Sequence, residues 1–304
     1  MKKLEKEAVL RERVILIGAV SFFIFILPYM LHLSLNGLRP YRVKEFGNLN
    51  QTVKIEMGAD SVCIQIETYL VGALARNSET SYEEETLKAV AVLLRSNAVN
   101  SLLENKTLAR ESFYTDEELR ILWGNEYEAN IQRYRDVVTG TEGIVLFYEG
   151  EIVEVPFHKL SSGVTRDGSI LETPLPYIRS VESPEDKYAN GYYGILEIRQ
   201  ENLGADFEVT DRDSWGYALL VRTNGTEMSG EAFRKCFQLP SACFEYEKED
   251  GIYRFYVRGS GHGFGLSLYG ANALALKGWS FAEILEYYYP GIEIRKENRN
   301  DISA

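Results

Sequence analysis

YRFYVRGSGHGFGLSLYGANALAL (Tyr253–Leu276) decides how the chain is read, and it falls into three pieces. Alternating apolar residues over Tyr253–Val257 predict a strand. Glycine at every second position (Gly259, Gly261, Gly263, Gly265) marks a loop. The apolar run near Leu268–Leu276 predicts a helix. Such glycines serve one of two ends. They let backbone amides approach a ligand, with the next helix pointing its N-terminus there. Alternatively, a tight strand-to-helix turn needs them only for sterics. The spacing is not G-x-G-x-x-G, because Phe264, Leu266 and Leu268 stand where a last glycine would fall. The absence of Gly-Lys-Ser/Thr excludes a Walker loop. Gly265-Leu-Ser-Leu-Tyr269 misses the second glycine of a nucleophile elbow, so Ser267 is not expected to be a nucleophile.

Outward from this stretch, Thr52–Ile66 alternates loosely and predicts a hairpin around Gly58-Ala59-Asp60. Ser81 with Glu84, and Thr115 with Glu118, have capping-box spacing. Leu87, Val90, Ala91, Leu94 and Ala98 follow the first box at helical spacing. A helix-rich stretch continues to about Val138. Ile144–Tyr148 and Ile152–Val155 flank Glu149-Gly150 as a second hairpin. Further strands are expected at Tyr193–Ile198 and Tyr217–Arg222. Helices are expected at Gly230–Cys236 and Phe281–Tyr288, the last stopped by Pro290-Gly291. Helices and strands are segregated rather than alternating, which predicts an α+β domain over 51–295 with a tail at 296–304.

The 304 residues carry a net charge of −12. The first thirteen hold five Lys/Arg and three Glu, so the remainder is more acidic than the total. A domain of that sign has no general electrostatic footprint for nucleic acid. Nor does a long-range field draw it to other anionic polymers, which would need local contacts. The three cysteines exclude a disulfide scaffold. Cys236 and Cys243 either pair in an oxidising space or, with Cys63, pack as small apolar residues.

VILIGAVSFFIFILPYMLHLSL (Val14–Leu35) contains no formal charge. At about 1.5 Å per helical residue it is long enough to cross a hydrocarbon core of about 30 Å. It is too long for the apolar core of a cleaved signal, and no A-x-A-like site follows it. We therefore expect residues 1–13 to be a cytoplasmic tail, 14–35 a transmembrane signal anchor and 36–50 a linker. Lys2, Lys3, Lys6, Arg11 and Arg13 bias the N-terminus toward the cytoplasm, and the main domain is expected outside it.

His158 and His262 are the histidines beyond the anchor, with Ser161, Ser162 and Thr165 following His158. They suit acid–base work or sugar hydroxyl contacts, and equally an ordinary hydrogen-bonded turn. Tyrosine is abundant, at 20 residues, and aromatic faces suit sugar rings as well as cores.

Five blocks in order resemble the domain of stage II sporulation protein D and the amidase enhancer LytB. They are Ile66-Glu-Thr-Tyr-Leu-Val-Gly72 with Glu85–Ala91 and Arg95; Phe157-His158 with Ser161, Gly163 and Thr165; Tyr177–Pro184; Met228–Arg234 with Leu239; and Gly261–Ala271 with Glu283–Gly291. The resemblance implies an anchored sporulation protein with a central cleft for peptidoglycan glycan strands. The family enzyme is a lytic transglycosylase acting on strands stripped of their stem peptides, with one glutamate as general acid and base. Such a carboxyl donates a proton to the glycosidic oxygen, then takes one from the hydroxyl that closes a 1,6-anhydro ring. No second carboxylate is obligatory, unlike the usual hydrolytic pair.

Alignment through Gly72 and Leu87-Lys88-Ala89 puts Asn77 at that glutamate's position. An amide has neither the proton nor the basicity. Val90 and Leu268 stand where the family has glutamine, Arg76 where it has a small residue, and Glu79 where it has proline. Glu79 is the nearby carboxylate that would substitute. Matching positions, expected to contact substrate, are Arg95, His158, Ser161, Thr165, His262, Gly263, Ser267 and Tyr269. Some members bind zinc through cysteines; none lies near His158 here, so no metal or other cofactor is expected. The expected function is glycan binding with degenerate lytic activity. The alternatives are an active lytic transglycosylase and a membrane-anchored module that recruits wall hydrolases or other membrane proteins.

Overall fold

The computed structural model describes residues 51–58 and 60–296. The tail, anchor and linker expected over 1–50, and the C-terminal tail beyond 296, lie outside the described residues. Among the described residues no helix is long and apolar enough to cross a membrane.

The described chain is a mixture of helix and sheet, as the α+β reading predicts. A hairpin opens it, β1 (Thr52–Met57) and β2 (Asp60–Gln65), with Met57 opposite Asp60. Helices α1 (Ile66–Asn77), α2 (Glu84–Leu103), α3 (Asp116–Trp123) and α4 (Tyr127–Gly140) follow. Then come β3 (Ile144–Tyr148), β4 (Glu151–Ile152), β5 (Phe157–His158), β6 (Tyr193–Arg199) and the single turn α5 (Gln200–Leu203). The middle holds β7 (Glu208–Arg212), β8 (Ala218–Thr223), β9 (Thr226–Ser229), α6 (Gly230–Cys236), β10 (Phe244–Glu249) and β11 (Ile252–Arg258). The chain closes with β12 (Leu266–Ser267), α7 (Leu268–Leu276), α8 (Phe281–Tyr288) and β13 (Glu293–Lys296).

The expected helices at Gly230–Cys236, Leu268–Leu276 and Phe281–Tyr288 are present with those bounds. The second hairpin is shorter than its alternation suggested, with pairing ending at Ile152. Helix α1 is an addition to the sequence reading. Its buried residues Ile66, Tyr69, Leu70, Ala73 and Leu74 have amphipathic spacing, but the hairpin's alternation runs into its first turn.

One cap differs from expectation. Helix α2 begins at Glu84 behind Glu83, and no side chain of its own segment caps it. The orphan N–H of Glu83 instead donates to Asn272 Oδ1 of α7 at 2.7 Å. A tertiary partner thus replaces the Ser81 box. The Thr115 box forms as predicted. Ser280 forms a second, with its Oγ accepting from the Glu283 N–H. Ser280→Ala should cost about 1 kcal/mol, read as a thermal midpoint lower by roughly 2–4 °C.

Two cores result. The larger packs α2 against α1, α4, α7, α8 and β3, so Val90, Val92, Leu93 and Val99 are all fully buried. The smaller joins the β7-β8-β9 sheet, α6 and the β10-β11-β6 sheet around Phe207, Phe233, Phe244 and Phe255. Arg166 pins this unit to the glycine-rich loop. Its guanidinium lies between the Tyr217 and Phe264 rings, 4.6 Å from each, and pairs with Asp213 and Glu231. Cys243 is buried, whereas Cys63 and Cys236 are exposed, and all three are free. The apolar-packing reading therefore holds for Cys243 alone.

Candidate functional site

Helix α1 ends at Asn77, where its last turn opens into a groove of about 350 Å³. Arg76, Asn77, Ser78, Glu79 and Tyr82 line it together with Phe157, His158, Lys159 and Leu268. Parallel pairing of β5 with β12 builds the second group, placing Phe157 beside Leu266 and His158 beside Ser267. The glycine-rich loop makes that pairing possible. All four alternate glycines have positive φ, and a Cβ on Gly265 would lie 1.9 Å from the Pro156 carbonyl. Backbone path and close packing therefore account for these glycines. The N-terminus of α7 is likewise satisfied internally, by Ser267 Oγ accepting from the Gly270 N–H.

Asn77 is half-buried. Its Nδ2 donates to the Ala73 carbonyl at 2.8 Å, and Ser78 Oγ donates to Leu74 O at 2.6 Å. Both side chains fold back onto carbonyls near the C-terminal end of α1. Glu79 is the only carboxylate among the lining residues. Its side chain is 58% exposed and lies 3.8 Å from Lys159 Nζ. A general acid of this chemistry is normally held in a desolvated pocket; Glu79 is solvated and paired with a cation.

His158 is 4% exposed. Its Nδ1 lies 3.0 Å from the Phe264 carbonyl, which can only accept, so Nδ1 carries the hydrogen. Nε2 is then a bare lone pair, and it has no partner. Burial, and secondarily His262 with its ring 5.7 Å away, push His158 down to about 3. The folded value thus lies below the ordinary 6.5. The stability linked to neutral His158 is present above that value and is lost as pH falls toward the folded one. Thermal unfolding of the wild type should therefore decline more steeply on acidification from neutrality than that of His158→Phe.

Asp186, which no local pattern in the sequence singles out, lies behind this wall and is fully buried. It accepts from the Ser161 N–H at 2.8 Å, Ser161 Oγ at 2.6 Å and Ser267 Oγ at 2.9 Å. Burial raises its carboxyl, with these hydrogen bonds pulling the other way. Ser161 and Ser267, both fully buried, thus join the segment after β5 to β12 through Asp186 and are not among the residues lining the groove.

The remaining candidates are dispersed. Arg95 has no accessible surface, and its guanidinium is occupied by Glu67, Thr141, Val138 O and Ile144 O. Thr165 is buried and bonds to the backbone of 179–181. Gly263 is packed against Tyr217 and Arg166. His262 opens onto a different hollow of about 330 Å³, with Glu154, Glu231 and Arg234. Tyr269 is half-buried, its N–H donating to Lys159 O at 3.3 Å. Of the candidates, Asn77, Glu79 and His158 are the ones brought together in one groove. Arg76, Ser78, Tyr82, Phe157, Lys159 and Leu268 complete it, and of these Phe157 and Leu268 stood in quoted sequence blocks.

Comparison with known proteins bears on this arrangement. Residues 60–148, which carry α1, Asn77 and α2, match the family model described as stage II sporulation protein, SpoIID. The chain is 29% identical over 256 residues to stage II sporulation protein D of Bacillus amyloliquefaciens, covering 76% of this chain and 74% of that one. Residues 60–148 thus carry a SpoIID domain. The Bacillus subtilis (strain 168) stage II sporulation protein D is 28% identical to this chain over 255 residues, with the same coverage. A short segment of 45 residues is 47% identical to the amidase enhancer of that organism, spanning 15% of this chain and 6% of the enhancer. These relationships support a cell-wall-related role in sporulation.

Proposed function

We propose that this chain binds peptidoglycan glycan strands in the groove at the end of α1 and has degenerate lytic transglycosylase activity. The observation that carries this reading is the side chain of Asn77. It lies at the groove, it is tied to Ala73 O, and it has no proton to donate. Transglycosylation needs one group to protonate the bridging oxygen and then deprotonate the ring-closing hydroxyl. Glu79, exposed and beside Lys159, lacks the desolvation that such a group uses.

Binding needs less. Tyr82, Phe157 and Leu268 offer apolar surface to a sugar face. Arg76 and Lys159 suit the carboxylates of a strand whose stem peptides have been removed. In this reading the apolar segment at 14–35 anchors the chain in the cell membrane once, with the domain outside and wall hydrolases as further partners. Full-length protein in detergent, sedimented with denuded glycan strands, should be recovered with the strands. Protein left in the supernatant would argue against glycan binding and for a module that recruits other wall proteins.

A further inference from the structure

Among the groove's lining residues, His158 alone has a polar side-chain atom that is buried and without a partner. Because Nδ1 donates to Phe264 O, the unpartnered Nε2 can only accept. A ligand seated there must supply a donor. Two features of the lining select which one. Arg76 and Lys159 outnumber Glu79, so an ammonium donor meets an excess of positive charge. Phe157, Leu268 and Tyr82 provide apolar surface, which suits a donor carrying a methyl group. An acetamido group on an amino sugar has both a neutral N–H and a methyl. Its de-N-acetylated counterpart presents an ammonium at neutral pH.

We propose that His158 is the specificity-determining residue of the groove. Its Nε2 accepts from the acetamido N–H, so that N-acetylated strands are selected over de-N-acetylated ones. This rests on the glycan-binding reading above. Nε2 is shielded from water in the free protein, so little solvent competes for a bond formed there.

The test uses full-length protein in detergent and two probes of equal length, a fully N-acetylated glucosamine tetrasaccharide and its fully de-N-acetylated form. By calorimetry the wild type should bind the acetylated probe at least about tenfold more tightly, the worth of roughly one buried hydrogen bond. His158→Phe keeps a planar ring without the acceptor. It should weaken the acetylated probe about tenfold and leave the other unchanged. Equal wild-type affinities, or an equal effect of the substitution on both probes, would overturn the inference while leaving glycan binding standing. Binding of neither the probes nor denuded strands would overturn both. Should His158→Phe not fold, nitrogen-15 histidine spectra of the wild type decide. The bare Nε2 resonance should move with the acetylated probe, and an unmoved resonance in the bound protein overturns the assignment.

Discussion

Arg95→Met lowers the stability of this chain by about 3 kcal/mol, toward the lower end of what breaking a buried ion pair costs. Arg95 has no accessible surface, and its Nε and Nη2 reach the two Glu67 oxygens at 2.8 Å each. The same guanidinium donates to Val138 O near the end of α4 and to Ile144 O at the start of β3. One side chain therefore joins α2 to α1, α4 and β3. Methionine restores much of the volume but leaves Glu67 without its cation and removes the guanidinium's bonds to Val138 O and Ile144 O. Glu67 is 24% exposed, and partial solvation keeps the loss below that of a fully buried charge. Urea unfolding should show a lower midpoint with an unchanged slope. Adding Glu67→Gln to Arg95→Met should recover part of the loss, because the uncompensated charge is gone.

Asn77→Glu should raise cleavage of denuded glycan strands by roughly 10²-fold or more over the wild type, the usual contribution of a positioned acid–base group. The position favours this chemistry. A carboxyl at the end of α1 faces the negative pole of the helix dipole, which raises its affinity for a proton. Glutamate sacrifices the hydrogen bond from Nδ2 to Ala73 O, a cost of about 1 kcal/mol in stability that a 12-residue helix with a buried face tolerates. The release of 1,6-anhydro ends, followed by mass spectrometry, is the readout. No gain over the wild type would mean that the groove has lost more than its acid.

These two residues show how far the sequence could be read. Asn77 stands out through the family resemblance, whose blocks on both sides set the register between Gly72 and Leu87. The groove confirms that the position is accessible. Arg95 belongs to an equally patterned block, but its partners at 138–144 lie far along the chain, and only folding shows that they consume its guanidinium. The same limit applies to Ser161 and Ser267. Each was legible as a polar residue beside a motif, while the buried Asp186 that holds both carries no local signature.

The helix Phe281–Tyr288 was legible because Pro290-Gly291 stops it, and the Ser280 box that the structure adds fixes its start. The start of α2 was not legible, since its cap comes from Asn272. The glycine-rich loop left two readings open, and close contact with the β5 segment decided between them: Gly265 against Pro156 O and Gly261 against the His158 side chain.

Mass spectrometry of denuded strands incubated with the wild-type full-length protein and recovered with it is the most direct measurement. Strands that are bound yet intact, without anhydro ends, are the predicted result. Anhydro ends that persist in Asn77→Ala and vanish in Glu79→Gln would contradict it, identifying Glu79 as a working acid in spite of its exposure.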